Sequence, residues 1–178
     1  MASLRAFSCY RKVKRPYTRK SKYKTKGYIK SVPNCKVVKF NYGNNKKDYP
    51  QQVMLVSKEM IQVRHNAIES ARVAVVRKLN KFLGKNYHFQ IRSYPHHVLR
   101  ENKMIAGAGA DRMQTGMQRS FGKAMGLAAQ LKPKKTIFCV YVDKENVKHV
   151  RTALKSALPK LPGKCAVVVE DNPKFVSK

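Results

Sequence analysis

Apolar positions along the chain change their spacing several times, and each change marks an element. Between Cys35 and Tyr42 they alternate in part (Val37, Val38, Phe40, Tyr42) and stop at Gly43-Asn44-Asn45, which predicts a strand running into a turn. Val53 to Val56 predicts a second short strand. From there the period lengthens: Met60/Ile61, Ala67/Ile68, Ala71, Val75, Leu79 and Phe82 fall on one helical stripe. Ser57 is placed to cap this helix, Glu59 to face its positive end, and Gly84 to stop it. Tyr87 to Arg92 alternates cleanly and predicts a half-buried strand that breaks at Pro95.

The pattern fades between Asn102 and Gly126, a stretch holding Gly107, Gly109, Gly116, Gly122 and Gly126. It predicts a long loop with one short helix at most. Thr136 to Val142 is strand-like and rich in β-branched residues. Asp143 is then expected to cap a second helix, with Glu145 in its first turn, Val147, Val150, Leu154 and Ala157/Leu158 on one face, and Pro159 ending it. Pro162-Gly163 turns the chain into a last strand at Cys165 to Val169. This order predicts an α+β fold, a two-layer α/β sandwich of two main helices on a mixed sheet. The expected organisation is an arm over residues 1–31, one domain over 32–172 with its central loop at 102–126, and a short tail over 173–178.

No apolar periodicity exists before Val32, and there the charge takes over. The 178 residues include 39 Lys and Arg against 9 Asp and Glu, a net charge of +30. The first carboxylate is Asp48. Arg5, Arg11, Lys12, Lys14, Arg15, Arg19, Lys20, Lys22, Lys24, Lys26 and Lys30 crowd the opening segment, with Tyr10, Tyr17, Tyr23 and Tyr28 between them. Such like charges repel, so an extended arm is expected. Cations can take phosphates while tyrosine faces stack on bases. At +30 a polyanionic partner is the natural compensation, while 43% hydrophobic content still supports a core.

Other classes lack their signatures. The longest uncharged apolar stretch, Met104 to Ala110, is far short of the roughly 20 residues that span a bilayer. No apolar run follows the N-terminal charges as a secretory signal requires, and Pro16 with dense Lys argues against a transit helix. Cys9, Cys35, Cys139 and Cys165 are scattered singly, which favours reduced thiols over zinc ligands or disulfides. Gly107-Ala-Gly109 lacks the third glycine of a dinucleotide loop. Gly116 to Gly122-Lys123 spaces its glycines by five residues where a P-loop needs four, and Ala124 stands in place of the magnesium-binding hydroxyl. The nine carboxylates form no close pair of the kind a hydrolase uses. His96 and His97 are adjacent on an expected strand and point to opposite faces, so one is expected to pack and the other to meet phosphate or base.

The small residues from Lys103 to Met117 let a backbone approach another surface closely. Lys103, Arg112, Arg119 and Lys123 supply phosphate ligands, and Met104, Met113 and Met117 supply pliable apolar contacts. A long loop in a compact domain is usually functional.

Five segments carry a resemblance. Arg15-Pro-Tyr-Thr-Arg, Gln62-Val-Arg-His-Asn-Ala-Ile-Glu-Ser-Ala-Arg, Tyr94-Pro-His-His-Val-Leu-Arg-Glu-Asn-Lys-Met, Gly107-Ala-Gly-Ala-Asp-Arg-Met-Gln-Thr-Gly-Met and Phe121-Gly-Lys together resemble one large-subunit ribosomal protein family. It is called L-ten-e in archaea and eukaryotes and L-sixteen in bacteria, and the wording around His96-His97 and Gly107 looks archaeal. The likeness runs from Tyr10 to about Glu170. It departs at Gln118, where members usually carry Arg, and at Ala124, often Pro.

The resemblance implies a hammerhead-type sandwich in the cytoplasmic large subunit. Its implied partners are large-subunit rRNA near the peptidyl transferase centre and central protuberance, tRNA acceptor arms and neighbouring ribosomal proteins. It implies no catalysis, cofactor, metal, membrane or small-molecule substrate. The arm cations, Tyr17, His96, His97, Arg100, Arg119 and Lys123 are expected on rRNA, and Lys103, Met104, Gly107, Gly109, Arg112 and Gln114 toward tRNA. The residues alone also suit a non-ribosomal RNA-binding module such as an assembly or translation factor. An RNA-modifying enzyme is the third class, without a cofactor motif or acid/base set to support it.

Overall fold

The computed structural model describes residues 4–13, 23, 25, 29, 31–102, 107–109 and 122–173. Among them lie the strands β1 (Asn41–Gly43), β2 (Gln51–Ser57), β3 (Ile61–Arg64), β4 (His88–Ile91), β5 (His97–Glu101), β6 (Lys123–Leu131), β7 (Thr136–Val142) and β8 (Cys165–Asp171). The helices are α1 (His65–Leu83) and α2 (Val147–Lys155). Five strands form one sheet in the order β1-β4-β7-β2-β8, and three form another in the order β3-β6-β5. Every pairing in both sheets is antiparallel. The fold is α+β, two helices packed against sheets, as the element order predicts, but two antiparallel sheets stand where one mixed sheet is expected.

Strand β2, paired on both sides, explains the layering. Val53, Leu55 and Ser57 are buried while Gln52, Met54 and Val56 are only half-buried, so one face of the strand meets the helices. On α1, Ile68, Ala71, Val75 and Leu79 fall on one stripe and are fully buried; on α2 the same holds for Val150, Ala153 and Leu154. Burying one Val, Leu or Ile side chain contributes about 1.5–3 kcal/mol, so this stripe outweighs the helix's own propensity. The helices also meet each other, and the Phe82 and His149 rings stack there at 5.3 Å. Gly84 ends α1 as expected, its N–H donating to the Asn80 carbonyl at 3.1 Å.

Several boundaries differ from the sequence reading. Ser57 does not cap α1: its backbone N–H donates to Lys135, its carbonyl accepts from Lys134, and its hydroxyl donates to the Glu59 carbonyl. The chain from Ile61 to Arg64 is strand β3, paired with Ala128–Leu131, and α1 starts only at His65. Met60, expected on the helical stripe, is 60% exposed. Strand β6 was not legible because Ala and Gly fill its middle; its pairing with two neighbours makes it extended. The strand expected at Cys35–Tyr42 shrinks to Asn41–Gly43, although Phe40 still accepts a bond from the Ile91 N–H at 2.9 Å. Asp143 occupies the expected cap position without a side-chain cap, and its carboxylate instead takes Lys47 at 2.8 Å. The first turn after it is a 3-10 turn, Lys144–Asn146.

Three histidines are held off protonation. Burial lowers the pKa of His65, with Lys36 and Arg64 adding to it; burial does the same for His97, and burial with Arg92 for His88. The folded state therefore binds fewer protons than the unfolded chain below the ordinary histidine pKa of about 6.5. Stability is full above that pH and falls as the pH drops through it toward the folded-state values. Melting curves at pH 7.5 and 5.5 should show a lower Tm at 5.5. The gap should narrow in His65→Gln, and a higher Tm at 5.5 would contradict the assignment.

Candidate nucleic-acid interface

The N-terminal segment, expected to be an arm apart from the domain, is part of the folded body over residues 4–13. After a 3-10 turn at Phe7–Tyr10 it runs along the three-stranded sheet. Its backbone is bonded to β3: the Gln62 N–H donates to the Arg11 carbonyl at 3.0 Å, and Gln62 Nε2 donates to the Tyr10 carbonyl at 2.9 Å. Gln130 on β6 in turn donates to Gln62 Oε1 at 3.1 Å. Leu4 lies so close to β6 that a Cβ on Gly126 would come within 2.8 Å of its Cδ1.

Glu101, at the end of β5, fastens this segment. Its carboxylate is only 7% exposed, and a charge so placed needs partners. Arg5 Nε sits 2.6 Å from Oε1, and the Tyr10 hydroxyl donates to Oε2. The Arg5 N–H then donates to Tyr10 Oη at 3.1 Å, closing a ring of three residues. Burial pushes the Tyr10 hydroxyl pKa up, and the bond to Glu101 adds to it. The Arg64 guanidinium lies 5.9 Å from the Tyr10 ring centre. Arg5, expected as a phosphate ligand, is thus a partner for a protein carboxylate. Arg11 lies 3.7 Å from Glu59 with both side chains well exposed, and Lys12 is exposed.

The same glutamate stands at the root of the central loop. Strands β5 and β6 are antiparallel neighbours with Glu101 opposite Lys123 and Arg100 opposite Ala124, so everything between them leaves and returns at one place. Gly122 closes that root at φ +105°, where a Cβ would come within 2.8 Å of the Glu101 backbone. That requires glycine. Arg5, Arg100 and Lys123 therefore converge on the loop root. Gly107 and Gly109 are exposed. Lys103, Met104, Arg112, Gln114 and Arg119 lie outside the described residues. So do Lys14, Arg15, Tyr17, Arg19, Lys20, Lys22, Lys24 and Lys26, and the short helix expected within the loop.

A second surface lies where β4 leads into β5. The Phe40 and Tyr94 rings stack at 5.3 Å, and the Tyr94 and His96 rings meet at 4.5 Å. Tyr94 and His96 are both exposed, which leaves ring area of the kind that bases stack on. His96 precedes β5, whereas His97 is its first residue and is half-buried. Beside them Arg92 donates to the Tyr141 hydroxyl at 2.8 Å, and Tyr141 stacks on His88 at 5.3 Å. Tyr94 was not among the expected site residues; its ring partner Phe40 is remote in sequence, so spacing carried no signal.

Among the described residues four ion pairs occur: Arg5–Glu101, Arg11–Glu59, Lys47–Asp143 and Arg72–Glu69. They engage few of the 39 cations. The exposed turn between β6 and β7 alone carries Lys132, Lys134 and Lys135 around Pro133. This charge distribution fits a phosphate backbone spread over a wide surface.

Replacing Glu101 with Gln tests the fastening. Bonds to a charged group contribute about 1.5–3 kcal/mol each, but Arg5 can return to water, so a loss of about 1–3 kcal/mol is expected. Denaturant unfolding should show this loss, and limited proteolysis should cut the variant faster within residues 4–13. Unchanged stability with unchanged cleavage would contradict the arrangement.

Comparison with known proteins shows the family. Residues 13–168 match the family described as ribosomal protein L16p/L10e. The "large ribosomal subunit protein uL16" of Methanococcus aeolicus is 47% identical over 169 residues, 94% of each chain. That of Methanospirillum hungatei is 46% identical over 165 residues, 92% of this chain and 94% of its own. That of Staphylothermus marinus is 49% identical over 148 residues, 83% of this chain and 82% of its own. With matches of this length and identity spanning the docked segment's end, both sheets and both helices, the chain belongs to the ribosomal protein L16p/L10e family.

Proposed function

We propose that this protein is a structural, non-enzymatic constituent of the large ribosomal subunit. The single observation that carries this is family membership over residues 13–168. The charge supports it: a net +30 with four internal ion pairs among the described residues leaves a surface that needs a polyanion. In this reading the cations from Lys14 to Lys26 follow rRNA phosphates as the chain leaves the fastened segment. The Tyr94–His96 edge and the basic β6–β7 turn bind further rRNA. The site on the subunit is the neighbourhood of the peptidyl transferase centre and central protuberance. The loop leaving β5 at Glu101 reaches toward tRNA acceptor arms, with Arg112 and its neighbouring cations meeting phosphate.

Sedimentation tests the constituent against the loose factor. The full chain should co-migrate with large subunits at high salt; release into the soluble fraction would favour an assembly or translation factor. Changing Lys14, Arg15, Arg19, Lys20, Lys22, Lys24 and Lys26 together to Ser should flatten the log–log salt dependence of rRNA binding. Each contact contributes roughly 0.7–0.9 to the slope, so losing four contacts removes about three. An unchanged slope would place the contacts elsewhere. For the loop, Arg112→Ala should leave the melting free energy within about 0.5 kcal/mol, as for ordinary surface changes, yet slow translation by subunits that carry it. Loss of folding with normal translation would make Arg112 a scaffold residue.

A further inference from the structure

We propose that the hollow between the N-terminal 3-10 turn and the start of α1 is a socket for one unpaired RNA nucleotide. This rests on the rRNA-binding reading above and names a position within it. The cavity is about 430 Å³, within the range of small-ligand sites, roughly 300–1,000 Å³. Phe7, Arg64, Asn66, Ser70, Pro159 and Lys160 are among its walls, and among the described residues no carboxylate lines it.

Each wall matches one part of a nucleotide. Phe7 is 39% exposed although it sits on the turn that docks the N-terminal segment. An aromatic ring kept out of the core offers a stacking face for a base. Pro159 and Pro162 line the same hollow and present rigid apolar surface on the 3-10 turn Leu158–Lys160 and just after it. Asn66 adds an amide to the wall, its Oδ1 buried without a hydrogen-bond partner among the described residues. Arg64 and Lys160 bring two cations for the phosphate. The start of α1 adds to them, because Arg64 gives no side-chain cap and the first turn holds no acid.

An acidic peptide would satisfy the cations, but its carboxylates offer no π face for Phe7. The hollow at the other end of α1 makes a contrast. Tyr87 and Asn80 line it, and they are already bonded to each other at 2.6 Å.

The test is an amide NMR titration of the full chain with adenosine 5′-monophosphate, run beside ribose 5-phosphate and inorganic phosphate. Saturable shifts at Phe7, Asn66, Ala67 and Lys160 are expected with the nucleotide. Ribose 5-phosphate and phosphate should give much weaker ones. Phe7→Ala should weaken nucleotide binding about fivefold or more, and Lys160→Gln, at an exposed turn position, should weaken it with the fold intact. If phosphate alone reproduces the shifts, the site takes a backbone phosphate and the socket is wrong. Equal binding by both variants, or no shift at these residues, overturns it as well. The titration needs no ribosome: a chain that still co-migrates with large subunits while failing it loses only the socket. A chain that fails to bind large-subunit rRNA loses the functional reading too.

Discussion

Glu101 is where the charge of this chain and its fold meet. It is one of nine carboxylates among 178 residues, and it is buried at the end of β5. A buried carboxylate is costly unless its partners are close and well aimed, and here they come from the far N-terminus, Arg5 and Tyr10. Because Glu101 is also the last residue of β5 before the central loop, one side chain ties two segments expected to reach RNA to one edge of the three-stranded sheet. Remove that tie and the described N-terminal residues are left with their bonds to Gln62, the Arg64 contacts with Arg5 and Tyr10, the Leu4 contact with β6 and the loose Arg11–Glu59 pair.

The rest of the architecture follows from this economy of acids. Where carboxylates occur they are used locally: Asp143 with Lys47, Glu69 with Arg72, and Asp171 and Glu170 with Gln51 and Gln52 across the β2–β8 ladder. The apolar layer carries the stability, with α1 and α2 laid on the sheets through fully buried Ile68, Val75, Leu79 and Leu154. Exposed cations such as Lys132, Lys134 and Lys135 then remain available to a polyanionic partner.

Elements whose reasons are local were legible in the sequence. Thr136–Val142 is rich in β-branched and aromatic residues and is β7 residue for residue. The α1 stripe from Ile68 to Leu79 and its stop at Gly84 also hold. Elements made by distant partners were not legible. Ile61–Arg64 continues the helical period on paper, yet pairing with β6 draws it into a strand. Ala-rich β6 has no strand signature of its own and is extended by the neighbours on either side. The site divides in the same way. The arm's cations were plain from composition, but Tyr10 reads as one more aromatic among cations until Glu101, distant in sequence, is set beside it. Likewise Tyr94 acquires its platform character only from Phe40.

The docking of the N-terminal segment is the claim on which this account stands, and one amide reports on it. Gln62 lies on the edge strand β3, and its N–H points away from β6 to the Arg11 carbonyl at 3.0 Å. Hydrogen–deuterium exchange on the isolated full-length protein should find this amide protected and find it released when residues 1–13 are deleted. Exchange at the rate of an open edge strand in the intact chain would contradict the docked segment and the tie at Glu101 with it.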